Sequence, residues 1–271
     1  AKYNLLDTLE EGYGINLLPL AQLSLKYYGD DPCDIFIPES ASLIDIDKTM
    51  LVAKMHKAIS IIQFKLEKSL SDRNPNFKLD DRLLLDKVNY SNGTIELNGS
   101  VHKLRDNVFP TVDPEHPFQL IQDEINVLNQ LKRSFLNCDL LQSHIKYMFT
   151  IGQMYTIYNN NLLFHGCIPL NEKGELQSFK VDGKYYKGIG LFNVLDQKIR
   201  SAYLNRYSPN NAEKDYFVYL WQGKKSPLFG KSSMKTFERY FIEDKTVHKE
   251  IENAYFTLRE DETILRNIYN E

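Results

Sequence analysis

The sequence predicts an α/β (α+β) chain in two parts: a mostly helical first part over 1–150 that carries a small β-meander, then an α/β part over 151–271. Three observations carry this. Residues 43–70 repeat apolar side chains at helical spacing. Residues 86–104 hold two Asn-Gly turns between short alternating runs. After Gly152 the texture changes to β-rich runs.

The opening, AKYNLLDTLEEGYGINLLPLAQLSLKYYG, is already in helical spacing, with neither a cap nor an initiator methionine; it reads as a piece of a longer chain. DDPCDIFIPES is a loop with two prolines. The helix over 43–70 places Ile44, Leu51, Met55, Ile59, Ile62 and Leu66 three, four or seven residues apart, and Asp72-Arg73-Asn74-Pro75 ends it. DKVNYSNGTIELNGSVHKL predicts a three-stranded meander, and the proline-rich NVFPTVDPEHPF a loop. Residues 118–149 read as two helices broken near Asn137-Cys138-Asp139, with Asp139 as a cap.

In the second part, MYTIY and NLLFH are β-rich runs joined by Asn159 and Asn160, a hairpin or a pair of neighbouring strands, and LLF reads as buried. Residues 188–205 are expected to be helical, YFVYLW (216–221) a buried strand and SPLFGK (226–231) a turn. MKTFERYFIEDKTVHKEIENAYF is expected to be mostly helical, and RNIYNE closes on a helical stretch. No repeat or low-complexity tract interrupts the pattern.

Composition narrows the function classes. Hydrophobic residues make up 42% and charged residues 25%, ordinary for a globular protein. A net charge of −3, from 33 basic and 36 acidic side chains, gives no basic field, so nucleic acid is not an expected partner. Cys33, Cys138 and Cys167 are odd in number and far apart, which fits free thiols in a reducing cytoplasm. The sequons at Asn92 and Asn98 are Asn-Gly turns, better explained by positive φ than by glycosylation. No signal peptide opens the chain and no apolar run approaches the ~18 residues of a membrane span. The expected setting is cytoplasmic, with no membrane partner.

Chemistry gathers at LLFHGCIPL. A strand ending in His165-Gly166 brings an imidazole to a sheet edge, and the glycine permits a sharp turn and a ligand's close approach. Imidazole is the commonest ligand for divalent transition metals, but one histidine is not a site, and a buried, hydrogen-bonded His165 is the plainer alternative. His56, His102, His116, His144 and His248 show no ligand spacing and read as structural or exposed. Cys167 lacks a nucleophile signature, and Ser226 lacks a Gly-x-Ser-x-Gly elbow. Lys231, after Gly230 in a turn before a helix, could meet a phosphate or could be a plain surface lysine.

At LLFHGCIPLNEKGEL the chain resembles the bacterial class III fructose-1,6-bisphosphatases, found mainly in Firmicutes and Bacteroidetes. NLLDTLEEGYGINLLPL, AKMHKAISIIQFKLE, FKLDDRLLLDKV, FPTVDPEHPF, KRSFLN, YLWQGKKSPLFGK and TFERYFIEDKTVHKE extend the resemblance, in the family's order, over essentially the whole chain. That family is similar to the calcineurin-like metallophosphoesterases, whose two-metal site lies at the edge of a two-sheet sandwich. Five motifs build that site: Asp-x-His, Gly-Asp-x-x-Asp-Arg-Gly, Gly-Asn-His-Asp/Glu, a strand ending in His-Gly, and a late Gly-His. His165 with Gly166 matches the fourth.

The resemblance therefore implies that His165 is a metal ligand, that the two divalent cations are manganese, and that a metal-bridging hydroxide attacks the 1-phosphate of fructose 1,6-bisphosphate. It makes the first part a helical insertion on the sandwich, and Lys231 a candidate for the substrate's distal phosphate. The departures are equally definite. The other four motifs are absent; the start resembles the family's segment just after the third motif, and the end its segment just before the fifth. Gly29-Asp30-Asp31-Pro32-Cys33-Asp34 only faintly imitates the second motif and reads as a solvated loop. Gln222 and Ala254 stand where the family often has cysteine and proline. The expected partners are the substrate and the missing N- and C-terminal segments, with homo-oligomerisation left open. The chain alone is expected to be inactive, and a non-catalytic scaffold or regulatory module is the competing reading.

Overall fold

The computed structural model describes residues 2–3, 5–39 and 45–270. In chain order the elements are α1 (Leu18–Tyr28), α2 (Ile46–Arg73), β1 (Val88–Asn89), β2 (Thr94–Leu97), β3 (Ser100–Lys103), α3 (Gln122–Leu136), α4 (Asp139–Ile151), β4 (Tyr155–Tyr158), β5 (Asn161–Phe164), β6 (Phe179–Val181), β7 (Lys184–Tyr186), α5 (Gly188–Leu204), α6 (Asp215–Gln222), α7 (Thr236–Phe241), α8 (Tyr255–Leu258) and α9 (Glu262–Asn270). The chain forms two compact units, each assembled from three stretches. One comprises Ala1–Ser69, Arg82–Met148 and Thr236–His248; the other comprises Leu70–Asp81, Phe149–Lys235 and Lys249–Glu271.

The first unit is organised by α2. Neither glycine nor proline interrupts this helix. Asp45 opens it by accepting the Asp47 N–H at 2.9 Å, and Pro75 stops it. The expected helical residues Leu43 and Ile44 lie outside the described residues. Ala58, Ile61, Ile62 and Phe64 of α2 share a core with Leu20 and Leu23 of α1, Ile95 of β2, and Phe237 and Phe241 of α7. The same helix also carries charge inward. Lys57 pairs with Asp31 and, at 2.6 Å, with Asp106; Lys65 reaches both Glu124 oxygens at 3.0 and 2.8 Å; Glu67 meets Arg82 at 2.5 Å. Asp31 is thus buried in an ion pair, and the loop expected to be solvated is anchored. An unpaired ammonium there would cost several kcal/mol, so the helix can bury lysine only where a carboxylate meets it.

The meander forms as expected, β1 and β3 flanking β2 in antiparallel register. Asn98 and Gly99 have φ of 52° and 78°, the mirror-image hairpin turn; at the other turn only Gly93 is positive. The two expected helices near 137 are α3 and α4. Asp139 is not the cap but lies in the first turn of α4, and the Leu141 N–H points instead at the Cys138 sulfur, 3.4 Å away. Residues 8–12 form a short wide turn before α1 rather than continuing one helix.

In the second unit β4 and β5 pair as an antiparallel hairpin, closed by Asn159 and Asn160 at φ 48° and 60°. The strand expected to be buried is only half so: Leu162 and Phe164 face the core while Leu163 is 51% exposed, because a two-stranded ribbon has one open face. A second hairpin, β6–β7, turns on Asp182-Gly183. YFVYLW is not a strand; it lies in α6, with Tyr216, Tyr219 and Leu220 inward and Phe217 and Trp221 outward. The run expected to be helical after 234 breaks into α7, a 3₁₀ turn at Lys245–His248 and α8. Asp244 starts the break by accepting both the N–H and the hydroxyl of Thr246. The core of this unit joins Phe77, Ile168, Leu170, Phe179, Leu191 and Tyr219. Among the described residues no sheet exceeds three strands, and no helix is long and apolar enough to cross a membrane.

Candidate functional site

β5 delivers His165 to the surface, where it is exposed, so it is not the buried histidine of the plainer alternative. Gly166 comes next at φ +90°, a conformation strained for any residue with a Cβ. The chain then turns inward, and Cys167, Ile168, Pro169 and Leu170 are all buried.

A turn over 223–230 holds this corner. The Cys167 N–H donates to the Pro227 carbonyl at 2.8 Å. A Cβ on Gly166 would strike that same oxygen and lie 3.0 Å from Leu228 Cα. The close approach that the glycine permits is therefore made by the protein's own backbone, not by a ligand. Ser226 builds the turn: its buried Oγ donates to the Leu220 carbonyl at 2.6 Å and accepts the Leu228 and Phe229 N–H groups at 3.1 and 3.2 Å. From another side, Asn253 Oδ1 accepts the Leu170 and Tyr255 N–H groups, both at 3.0 Å.

These contacts settle the chemistry of several neighbours. Burial pushes the Cys167 thiol up to about 12, which keeps it protonated and inert at neutral pH. Ser226 is committed to backbone groups on both sides. Lys231 donates to Glu250 at 2.6 Å, and that carboxylate also accepts the Lys235 N–H at 3.0 Å. Its charge is already answered within the protein, so a phosphate would have to displace Glu250.

The other histidines are occupied elsewhere: His56 with Phe36 and Tyr240, His102 with Asp244, His116 with Asp113, His144 with Tyr13, and His248 with the Ile242 carbonyl. Among the described residues no three of His, Cys, Asp and Glu converge to hold a metal ion. His165 fits as one nitrogen donor; a binuclear centre is not made by these residues alone. An apolar cleft of about 330 Å³ opens beside the hairpin, walled by Ile157, Leu162, Phe164, Ile189 and Phe192. Its greasy lining suits side chains rather than a doubly phosphorylated sugar. Asn253 and the supporting role of Ser226 escaped sequence reasoning; the Ser-Pro pair at 226–227, a turn-initiating signal, pointed to the latter.

An exposed imidazole on a glycine corner, in a chain of mixed helix and small sheets, leaves the class of protein to be fixed by comparison. The family model for the Firmicute fructose-1,6-bisphosphatase matches residues 1–271. The chain is 50% identical over 273 residues to the class 3 fructose-1,6-bisphosphatase of Clostridium tetani (strain Massachusetts / E88), covering 100% of this chain and 41% of that protein. It is 49% identical over 272 residues to that of Fusobacterium nucleatum subsp. nucleatum, again covering all of this chain and 41% of the relative. This chain belongs to the Firmicute fructose-1,6-bisphosphatase family. It spans about two fifths of the length of these relatives. No solved structure matches it.

Proposed function

We propose that the chain is part of a cytoplasmic, manganese-dependent phosphatase that converts fructose 1,6-bisphosphate to fructose 6-phosphate and phosphate. The observation that carries this is a family match extending over every residue of the chain. His165, exposed on its glycine corner, would supply one donor to a two-ion centre. The remaining donors would come from polypeptide that the relatives carry outside the matched stretch. That polypeptide would also complete a two-sheet sandwich to which the β4–β5 hairpin belongs. Bound metal would supply Lewis acidity at the phosphate. This chain's own contribution is to hold the imidazole in place. Lys231 is assigned to the distal phosphate, in exchange for Glu250.

The competing reading, a non-catalytic scaffold or regulatory module, draws on the lack of any converging set of metal donors among the described residues. One assay separates the two. Phosphate release from fructose 1,6-bisphosphate with manganese is measured on the 271-residue chain and on a chimera in which it replaces the matched stretch of the Clostridium tetani relative. The chimera should be active and the chain alone inactive. His165→Ala in the chimera should lower kcat by about a hundredfold or more, beyond the loss typical of groups that merely support a ligand. Lys231→Ala should raise KM about tenfold, as expected for a charge-assisted contact. Full turnover with alanine at 165 would remove the metal reading, an unchanged KM would release Lys231, and an inactive chimera that folds would favour the module.

A further inference from the structure

We infer that Ser226 is the positioning residue of the His165 corner. The inference rests on the functional reading of His165 and adds the group that sets its direction. The key is a single peptide plane. The Pro227 carbonyl and the Leu228 N–H belong to the same planar unit, so fixing one end fixes the other. Ser226 Oγ holds the N–H end at 3.1 Å. The carbonyl end receives the Cys167 N–H at 2.8 Å and fills the space where a Gly166 side chain would stand.

The hydroxyl is itself fixed from outside the turn, since it donates to the carbonyl of Leu220 in α6 at 2.6 Å. Pro227 has no N–H of its own, so no backbone donor at that position can take over the bond that the hydroxyl gives to the Leu220 carbonyl. The sequence of contacts runs from α6 to the Ser226 hydroxyl, through the 227–228 peptide, to Gly166 and Cys167, and so to the direction in which His165 leaves β5. Ser226 is only 1% exposed, which bars it from touching substrate. Without the hydroxyl the 227–228 plane can rotate, Gly166 loses the wall that holds it at φ +90°, and the imidazole swings.

The test uses three variants. Ser226→Ala removes the hydroxyl, Ser226→Cys keeps nearly its size with a weak hydrogen-bonding group, and Ser226→Thr keeps the hydroxyl. In the 271-residue chain, amide hydrogen exchange at Cys167 should quicken about tenfold or more in the alanine and cysteine variants, while buried amides of α5 such as Leu195 stay unchanged. Threonine should restore protection. In the chimera with the Clostridium tetani relative, the alanine and cysteine variants should lose about tenfold in kcat, with KM for fructose 1,6-bisphosphate changed less than about twofold. Threonine should recover the rate.

Unaltered Cys167 exchange, or equal kcat in the cysteine and threonine variants, would overturn the assignment. If the alanine variant does not fold, the cysteine and threonine pair decides the matter by the same readouts. The two readings fail separately. Full activity of His165→Ala would sink the role of His165 while leaving the exchange result intact; normal exchange beside an inactive His165→Ala would sink only Ser226.

Discussion

His56 is buried on α2, with Nδ1 3.2 Å from the Phe36 carbonyl and Nε2 3.1 Å from the Tyr240 hydroxyl. A carbonyl can only accept, so Nδ1 carries the proton and Nε2 accepts from the tyrosine, which is the neutral ring. Burial pushes its pKa down from 6.5 to about 4. As pH falls, the unfolded chain therefore takes up the proton first. The contribution to stability is complete above about pH 6.5 and is lost as pH falls toward about 4, by at most roughly 3 kcal/mol. Urea midpoints should decline over that window, and His56→Gln should flatten the decline; equal slopes in the two proteins would clear His56. At this scale the sequence shows apolar periodicity but hides the inward lysines. Lys57 and Lys65 meet Asp31 and Glu124, which lie 26 and 59 residues away, and no local spacing marks such a pair. Gly166 is similar: the need for a turn is legible there, but the backbone packed on it comes from a distant turn.

At the scale of elements, α6 shows how an apolar run misleads. YFVYLW is six residues without a polar break, and both strand and helix fit it until its neighbours are known. Helical geometry puts Tyr219 inside, stacked on Phe179 at 4.2 Å and tilted against Phe77 at 4.7 Å, and puts Trp221 outside at 53% exposure. A strand would send those two side chains to the same face. Tyr219→Ala should therefore cost about 3–5 kcal/mol by chemical denaturation, and Trp221→Gln about 0.5 kcal/mol or less. Comparable losses at both positions would revive the strand. The turns are more legible, because Asn98-Gly99 and Asn159-Asn160 adopt positive φ for reasons their own chemistry supplies. Asp182-Gly183 carries the same signal for β6–β7, without long alternating runs beside it to mark the strands. Helix ends after 234 are harder to see, since Asp244 breaks the pattern through its side chain rather than through apolarity.

At the scale of the whole molecule, the first unit is closed by a segment that arrives late. Phe237, Phe241 and Ile242 are 2%, 0% and 0% exposed, and Phe241 packs on Phe36 at 5.6 Å and on Phe109 at 4.9 Å. Apolar patterning along the chain has no way to announce that return. Residues 1–150 made alone should thus lack a cooperative heat-absorption peak in calorimetry, since these deeply buried core residues would be missing. A sharp, reversible transition in that fragment would show that α7 is dispensable. The same lacing matters during synthesis. A growing polypeptide emerging from the ribosome would carry its aromatic cluster unsealed until position 248 has cleared the exit tunnel, so translation speed and chaperone supply, more than local helix strength, should govern how much of it reaches the native state.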